Sequence, residues 1–576
     1  MNLSQIDWAV IGFYFLFSLI IGILSARKAG KDSRSFFLAG GEMPWWLLGI
    51  SMVATTFSTD TPNLVTDLVR QNGVSGNWVW WSFLLTGMLT VFVYAKLWHR
   101  SGVLTDVEFY EIRYGGKPAA FLRAFRAIYL GLIFNVLVMG SVSLAAIKFG
   151  EIILGWPGWL TMSIACSVTL LYSTLGGLRS IIITDFFQFI LAMIGSIWSC
   201  IYILNLESIG GVKNLIQHQK VIGKISMFPD FSNPDIWVPI LFIPLAVQWW
   251  ASYYPGSEPG GGGYIAQRML SAKDEKNAIG ASLLFNIAHY AIRPWPWILI
   301  ALSSLIIFPE LSDIREKFPE ISENKIGHDI AYPAMLTLLP PGLLGLVSAS
   351  LVAAFMSTMS TQVNLGASYL VNDFYHRFID PNATEKKLVF IGRIFTVFSI
   401  ILGAVTGLIL TNAEQAFSLL LLLGSGTGLI YILRWFWWRI SAFTEIIAMV
   451  SSLFIASYLN FFNEGMLGWE KIVVGASLTT FIWVSATFFA PPEKKETLEK
   501  FVNKINPGGP GWKQYTVLDN NKWSVPNSIL LMFLGTILIF SVLLGLGNII
   551  YSKFLSGVIL FFIGCISAIG IFKLWK

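Results

Sequence analysis

Apolar stretches of roughly membrane-spanning length recur from one end of this chain to the other, separated by short polar connections. About 20 apolar residues in helical form cross a hydrocarbon core of about 30 Å. The pattern predicts about fifteen spans, at roughly 6–26, 44–69, 77–97, 124–150, 157–175, 179–205, 235–254, 278–308, 342–376, 387–411, 415–437, 441–461, 471–490, 527–547 and 551–574. Backbone polar groups have no water partners in lipid, so these spans are predicted helices. The short alternating strands of a barrel are absent from the sequence. Only three connections are long, at about 206–234, 309–330 and 491–526, and none could hold a soluble catalytic domain.

Two of the spans carry polar breaks. The second reads Ser51-Met-Val-Ala-Thr-Thr-Phe-Ser-Thr-Asp60-Thr-Pro62-Asn63, with a proline that removes a helical donor and clashes with the preceding turn. The seventh ends in Gln248-Trp249-Trp250, then Pro255-Gly256-Ser257-Glu258-Pro259 and four glycines, which cannot form continuous helix. These breaks open two blocks of five spans, 44–205 and 235–437. Paired interrupted helices at matching places in two halves point to an inverted-repeat carrier whose site lies at mid-membrane. The alternative is that Pro and Gly only kink packed helices, which membranes tolerate.

The chain of 576 residues is 55% hydrophobic and 12% charged. About 25% charged is usual for soluble domains, so water is not its main solvent. The net charge of +6 is spread unevenly. With the N-terminus outside, inner loops carry Arg27 to Arg34, Arg100 to Arg126, Arg268 to Lys276, Arg377 to Lys387, Arg434, Arg439 and Lys494 to Lys522. Outer loops hold only Arg70, Lys213, Lys220, Lys224, Arg315, Lys317, Lys325, Lys471 and Lys553. This asymmetry predicts an outside N-terminus and a cytoplasmic C-terminus in a plasma membrane, such as a bacterial inner membrane. Met1 to Asp7 lacks the basic residues of a signal peptide, so the first run reads as a permanent span. Cys166, Cys200 and Cys565 lie inside apolar runs and form no disulfide or transition-metal pattern.

Candidate chemistry concentrates in two places. Ser357, Ser360 and Thr361 stand at i, i+3 and i+4 on one face of the ninth span, with Thr358 at its border. Neutral oxygens suit sodium, whereas carboxylate cages suit calcium. The alternative is that these hydroxyls bond back to their own helix or join neighbouring helices. Asp185 is an acid within a span, a functional candidate by default. Its alternative is an interfacial pair with Arg179.

Several segments together resemble the sodium:solute symporter family, whose relatives include bacterial galactose, proline and sialic acid carriers. They are Ser35 to Trp46 leading into Gly49-Ile50-Ser51; Gly176-Gly177-Leu178-Arg179-Ser180 through Asp185 and Gln188; Gln267-Arg268 with Ala272-Lys273; and Ser357-Thr358 through Asn372-Asp373-Phe374-Tyr375 and Gly392-Arg393. The likeness runs from about residue 5 to 490. It implies an all-α, LeuT-type membrane fold of five plus five core helices. One extra span precedes the core and about four follow it. The implied divisions are 1–43 (extra span and basic loop), 44–437 (core, with halves 44–205 and 235–437), 438–490 (two spans), 491–526 (linker) and 527–576 (terminal hairpin).

The resemblance implies sodium site one at the carbonyls of Ala54, Phe57 and Ala354 and the hydroxyls of Ser357 and Thr358. A second sodium site in some members maps to Asp185, Ser357, Ser360 and Thr361, so two-sodium coupling is expected. For the solute it points to Asp60, Thr61 and Tyr290, beside which stand His289 and Arg293, with Trp249 and Trp250 as stacking candidates. Asp60 opposite Arg293 would suit a zwitterion, or a sugar, or the two would pair with each other; the indoles and His289 also read as packing. The implied activity is import of a small polar organic solute with sodium, by a monomer in the bilayer, with no cofactor and no nucleic-acid partner. The rivals are a proton-coupled carrier using Asp185 or Asp60, a membrane-embedded transferase and a solute sensor. His99, His218, His289, His328 and His376 are too scattered for the transferase, and the terminal spans are too small for a signalling domain.

Overall fold

The computed structural model describes residues 3–29, 32–251, 258–319, 321, 325–410, 424, 426–463, 465–515 and 523–575. Lys31, Pro255 to Ser257, residues 415–423 and 425 of the eleventh expected span and residues 516–522 lie outside them. The regular elements among the described residues are helices, with a single isolated bridge between Met43 and Ala272.

In chain order the helices are α1 (Gln5–Ala29), α2 (Trp45–Thr56), α3 (Asp60–Asn72), α4 (Val74–Ser101), α5 (Gly116–Leu154), α6 (Gly158–Leu204), α7 (Pro234–Ala246), α8 (Gly263–Leu270), α9 (Glu275–Ile307), α10 (Leu343–Ile379), α11 (Glu385–Ile409), α12 (Ala442–Phe461), α13 (Gly468–Phe489), α14 (Lys495–Ile505), α15 (Val525–Ile550) and α16 (Phe554–Leu574). Among the described residues, ten segments are long and apolar enough to cross a membrane, and four shorter apolar helices stand at Gln5–Ile21, Trp45–Thr56, Gly158–Leu171 and Pro234–Ala246. Residues 426–433 are the helical stretch in the described part of the eleventh expected span.

Local sequence explains the interruptions. α2 stops at Thr56, where Phe57 turns extended (φ −89°, ψ 90°), and α3 starts at Asp60. Pro62 is tolerated in the first turn of α3, but its ring would clash with a helical carbonyl at Ser58, so the break falls before it. α7 ends at Ala246, earlier in its span than the sequence suggested; a single 3-10 turn follows at Gln248–Trp250, and α8 begins at Gly263. α6 is two spans joined at Gly177, whose φ of 54° and ψ of −161° belong to glycine alone. Gly177→Ala is expected to lower stability by about 1–3 kcal/mol, seen as a fall in detergent melting temperature with sodium stabilisation retained.

Ion pairs and hydrogen bonds sort the connections onto two ends of the bundle. At one end Asp7 accepts from the amides of Gly342 and Gly345 (2.7 and 2.6 Å), and Lys148 pairs with Asp329 and Lys325 with Glu151 (2.8 and 2.6 Å). At the other, Arg100 pairs with Glu275 and Arg377 with Glu111 (2.8 and 3.0 Å), and Trp575 stacks edge-on against Phe92. Asp7 and Trp575 therefore sit at opposite ends.

The segment 491–526, expected as a linker, contains the docked amphipathic helix α14. Leu498, Phe501, Val502 and Ile505 are fully buried. Phe501 and Trp512 flank the guanidinium of Arg113, whose Nε donates to the Arg434 carbonyl at 2.7 Å. The i, i+3, i+4, i+7 spacing of those four apolar residues is the helical signal that the glycines after Pro507 obscured.

Candidate functional site

The end of α2, the middle of α10, the second half of α6 and α8 converge in the interior. Phe57 N–H donates to the carbonyls of Val53 and Ala54 (2.9 and 3.1 Å), and the chain then leaves the helix, so the last carbonyls of α2 lack their usual helical donors. Thr358 Oγ1 donates to the Thr55 carbonyl (2.8 Å), tying α10 to this broken end. Thr61 Oγ1 donates to the Thr56 carbonyl (3.0 Å) from the start of α3. Ala54, Phe57, Ala354, Ser357 and Thr358 are all buried, with at most 2% of their surface exposed.

The second candidate cage lies beside the first. Ser357 Oγ donates to Asp185 Oδ1 (2.6 Å), and Ser51 Oγ donates to Asp185 Oδ2 (2.5 Å). Ser360 instead donates to the Ser357 carbonyl of its own helix (3.0 Å). Arg268, which the sequence placed among loop cations, is fully buried here. Its Nη2 donates to Thr361 Oγ1 (2.7 Å) and to Ser51 Oγ (3.2 Å), lies 3.7 Å from Asp185 Oδ2, and its Nη1 donates to Gln267 Oε1 (2.8 Å). A guanidinium thus occupies the oxygen-rich corner assigned to the second ion. Arg179 faces Glu42 at 4.0 Å at the bundle edge, so the Asp185–Arg179 pair does not form.

The expected solute residues separate into three groups. Asp60 and Thr61 begin α3. His289 Nδ1 and Arg293 Nη1 both lie 3.1 Å from Thr56 Oγ1, Arg293 stacks over Trp297, and Tyr290 stacks on Trp80 at 5.8 Å. Trp249 and Trp250 pack edge-to-face, and Thr86 Oγ1 donates to the Trp249 carbonyl. A cavity of about 60 Å³ lies between α4 and α9, lined among others by Thr56, Phe83, Thr86, Asn286 and Tyr290. At about 30 Å³ per water it holds about two, so a solute enters only as the helices part. Of the expected solute residues, Tyr290 alone is among its described lining.

Glu258, which also lines the cavity, is buried between Arg126 on α5 and Arg434 (2.9 Å), which also approaches Glu445 on α12 (3.5 Å). Nearby, Arg123 bridges Asp373 and Glu111 (2.8 and 2.6 Å). Burial opposes ionisation of Glu111, but Arg377 and Arg123 hold its carboxyl below the usual range. Sequence reasoning missed Ser51, Thr55, Arg268, Glu258 and Asn286. The Gln267-Arg268 segment had been singled out, but as a loop.

Residues 36–454 match the model of the sodium:solute symporter family. The chain belongs to that family. Its relatives include a sodium/glucose cotransporter of Vibrio parahaemolyticus, 26% identical over 81% of this chain and 87% of that one. A sodium/mannose cotransporter of Bos taurus is 28% identical over 69% of this chain and 68% of that one, and a sodium/myo-inositol cotransporter of Mus musculus is 26% identical over 76% and 67%. Among solved structures, a Na⁺-coupled sialic acid symporter in a substrate-bound outward-open state superposes with a TM-score of 0.67 at 18% identity, covering 85% of this chain and 99% of that one. That likeness shows the LeuT-type fold. As a member of the sodium:solute symporter family, the protein is a multi-pass membrane transporter that carries a small solute with sodium as coupling ion, not an enzyme.

Proposed function

We propose that this symporter imports a small neutral polyhydroxy solute with one sodium ion per cycle. Sodium is held by the carbonyls of Ala54, Phe57 and Ala354 and the hydroxyls of Ser357 and Thr358. The observation carrying this is the Thr358 hydroxyl on the carbonyl end of broken α2: a hard monovalent cation replaces that hydrogen bond with oxygen ligands, bridging α2 to α10. Asp185, Ser357, Ser360 and Thr361 remain the second cage, with Arg268 as its resident cation in this state. The solute class is supported by the hydroxyl, amide and aromatic lining beside Thr56 and Tyr290, whose carboxylate, Glu258, is already paired with Arg126 and Arg434, and by the glucose, mannose and myo-inositol named for the relatives. Orientation follows the basic loops: N-terminus outside, C-terminus cytoplasmic, in a plasma membrane such as a bacterial inner membrane, acting as a monomer. Inward movement of the sodium charge supplies about 2.3 kcal/mol per 100 mV.

Thermal unfolding in detergent tests this reading, with sodium against choline at equal ionic strength. Sodium at 100 times its dissociation constant should stabilise the native protein by about 2.7 kcal/mol, and Thr358→Ala should lose most of that. Glucose, mannose and myo-inositol are then screened in sodium. No sodium effect on the native protein would turn attention to proton coupling.

A further inference from the structure

We infer that Asn286 is a specificity-determining residue, whose Oδ1 accepts a hydrogen bond from one particular hydroxyl of the transported solute. This rests on the polyhydroxy reading above. Ser282, Asn286 and Tyr290 stand at i, i+4 and i+8 on α9, forming a polar stripe that lines the cavity opposite Phe83, Thr86, Gly87 and Thr90 of α4. Asn286 is 1% exposed. Its Nδ2 donates to the Ser282 carbonyl (2.8 Å). A carbonyl accepts only from the N–H side of an amide, so this bond fixes which way the amide points. Oδ1 is thereby turned toward α4, where it has no hydrogen-bond partner. Gly87 leaves it room, since a Cβ there would fall directly on Asn286 Oδ1.

The neighbouring Ser and Thr hydroxyls of the cavity are already donated. Thr56 Oγ1 goes to the Val53 carbonyl, Thr86 Oγ1 to Trp249, Thr90 Oγ1 to Thr86 and Ser282 Oγ to Ala278. Beside these satisfied hydroxyls, the Asn286 oxygen is an acceptor left open. A buried acceptor left unmade is costly, and an incoming hydroxyl satisfies it. A carboxylate or phosphate, bringing only acceptors, does not. The arrangement selects a donor-bearing, uncharged solute and penalises the analogue that lacks one hydroxyl, because the amide oxygen is then orphaned inside the complex.

The test pairs a protein variant with a ligand variant. Uptake of D-glucose, D-mannose, myo-inositol and their monodeoxy analogues is measured for the native protein, Asn286→Leu and Gly87→Ala, with the sodium-induced melting shift as a control for folding. The native protein should discriminate against one deoxy position by about 10- to 100-fold in kcat/KM. Asn286→Leu should flatten that one position to within about 3-fold while leaving the others unchanged. Gly87→Ala, which blocks the oxygen from the opposite helix, should act in the same direction. A merely structural role would lower uptake of every analogue alike. Discrimination retained in Asn286→Leu overturns this inference alone. If no polyol is bound or carried by the native protein in sodium, the polyhydroxy reading falls, and this inference with it.

Discussion

Arg268→Ala is expected to destabilise the protein by about 3–5 kcal/mol, the usual cost of leaving one member of a buried pair without its partner. Asp185 and Arg268 are both completely buried, and Ser51 bridges them by donating to the carboxylate while accepting from the guanidinium. Removing the guanidinium leaves the carboxylate to the Ser51 and Ser357 hydroxyls, and leaves Thr361 Oγ1 with Thr55 Oγ1 as its partner in place of a charged donor. Thermal unfolding in choline should show the loss. Sodium should restore more stability to the variant than it gives the native protein, because Asp185, Ser357 and Thr361 then form an open cage for a second ion. The sodium dependence of uptake should steepen from a Hill coefficient of about 1 toward 2, bounded by the number of sites. A variant as stable as native in choline would remove the argument that Arg268 is the resident cation. A native Hill coefficient near 2 would restore two-sodium coupling.

Glu258→Ala should have a comparable effect of about 3–5 kcal/mol, for a different reason. Glu258 stands in the gap between α7 and α8 and compensates Arg126 and Arg434 together. Without it, two buried guanidinium groups face Glu445 alone, itself committed to the Tyr114 hydroxyl. The loss falls on the state in which this end of the bundle is closed, so the equilibrium shifts toward opening there. In a Cys565→Ser background, Ser282→Cys should be labelled by a membrane-impermeant maleimide, supplied on the side of the membrane that this end faces, faster when Glu258→Ala is present. Adding Arg434→Met, which removes the surplus positive charge, should recover part of the stability. Unchanged labelling together with unchanged stability would show that the network does not hold this end shut.

The residues differ in how far they could be read in advance, and the difference follows sequence distance. The break near Pro62 and the turn at Gly177 are local consequences of a missing donor and a positive φ, so they were visible in a short window. The hydroxyl face of α10 was visible as a helical period. α14 was equally available in its apolar spacing, but the surrounding glycines and charges suggested a linker. Arg268 was not visible in this way. Its partner Ser51 lies 217 positions away, and a Lys/Arg count assigns cations to loops by default. Asn286 resembles any membrane asparagine bonded back to its own helix until Gly87 and the unsatisfied oxygen are seen together.

The sequence by itself determined the solvent, the helical class, the breaks in the second and seventh spans and the oxygen-rich face beside them, because hydropathy, proline and helical period act within a few residues. The tertiary structure alone decided which charges meet. It brought Arg268 rather than Arg179 to Asp185, set Glu258 between two arginines, and faced Asn286 with a glycine. Those pairings depend on which helices share the low-dielectric interior, where an unpaired charge or acceptor is costly enough to fix its partner.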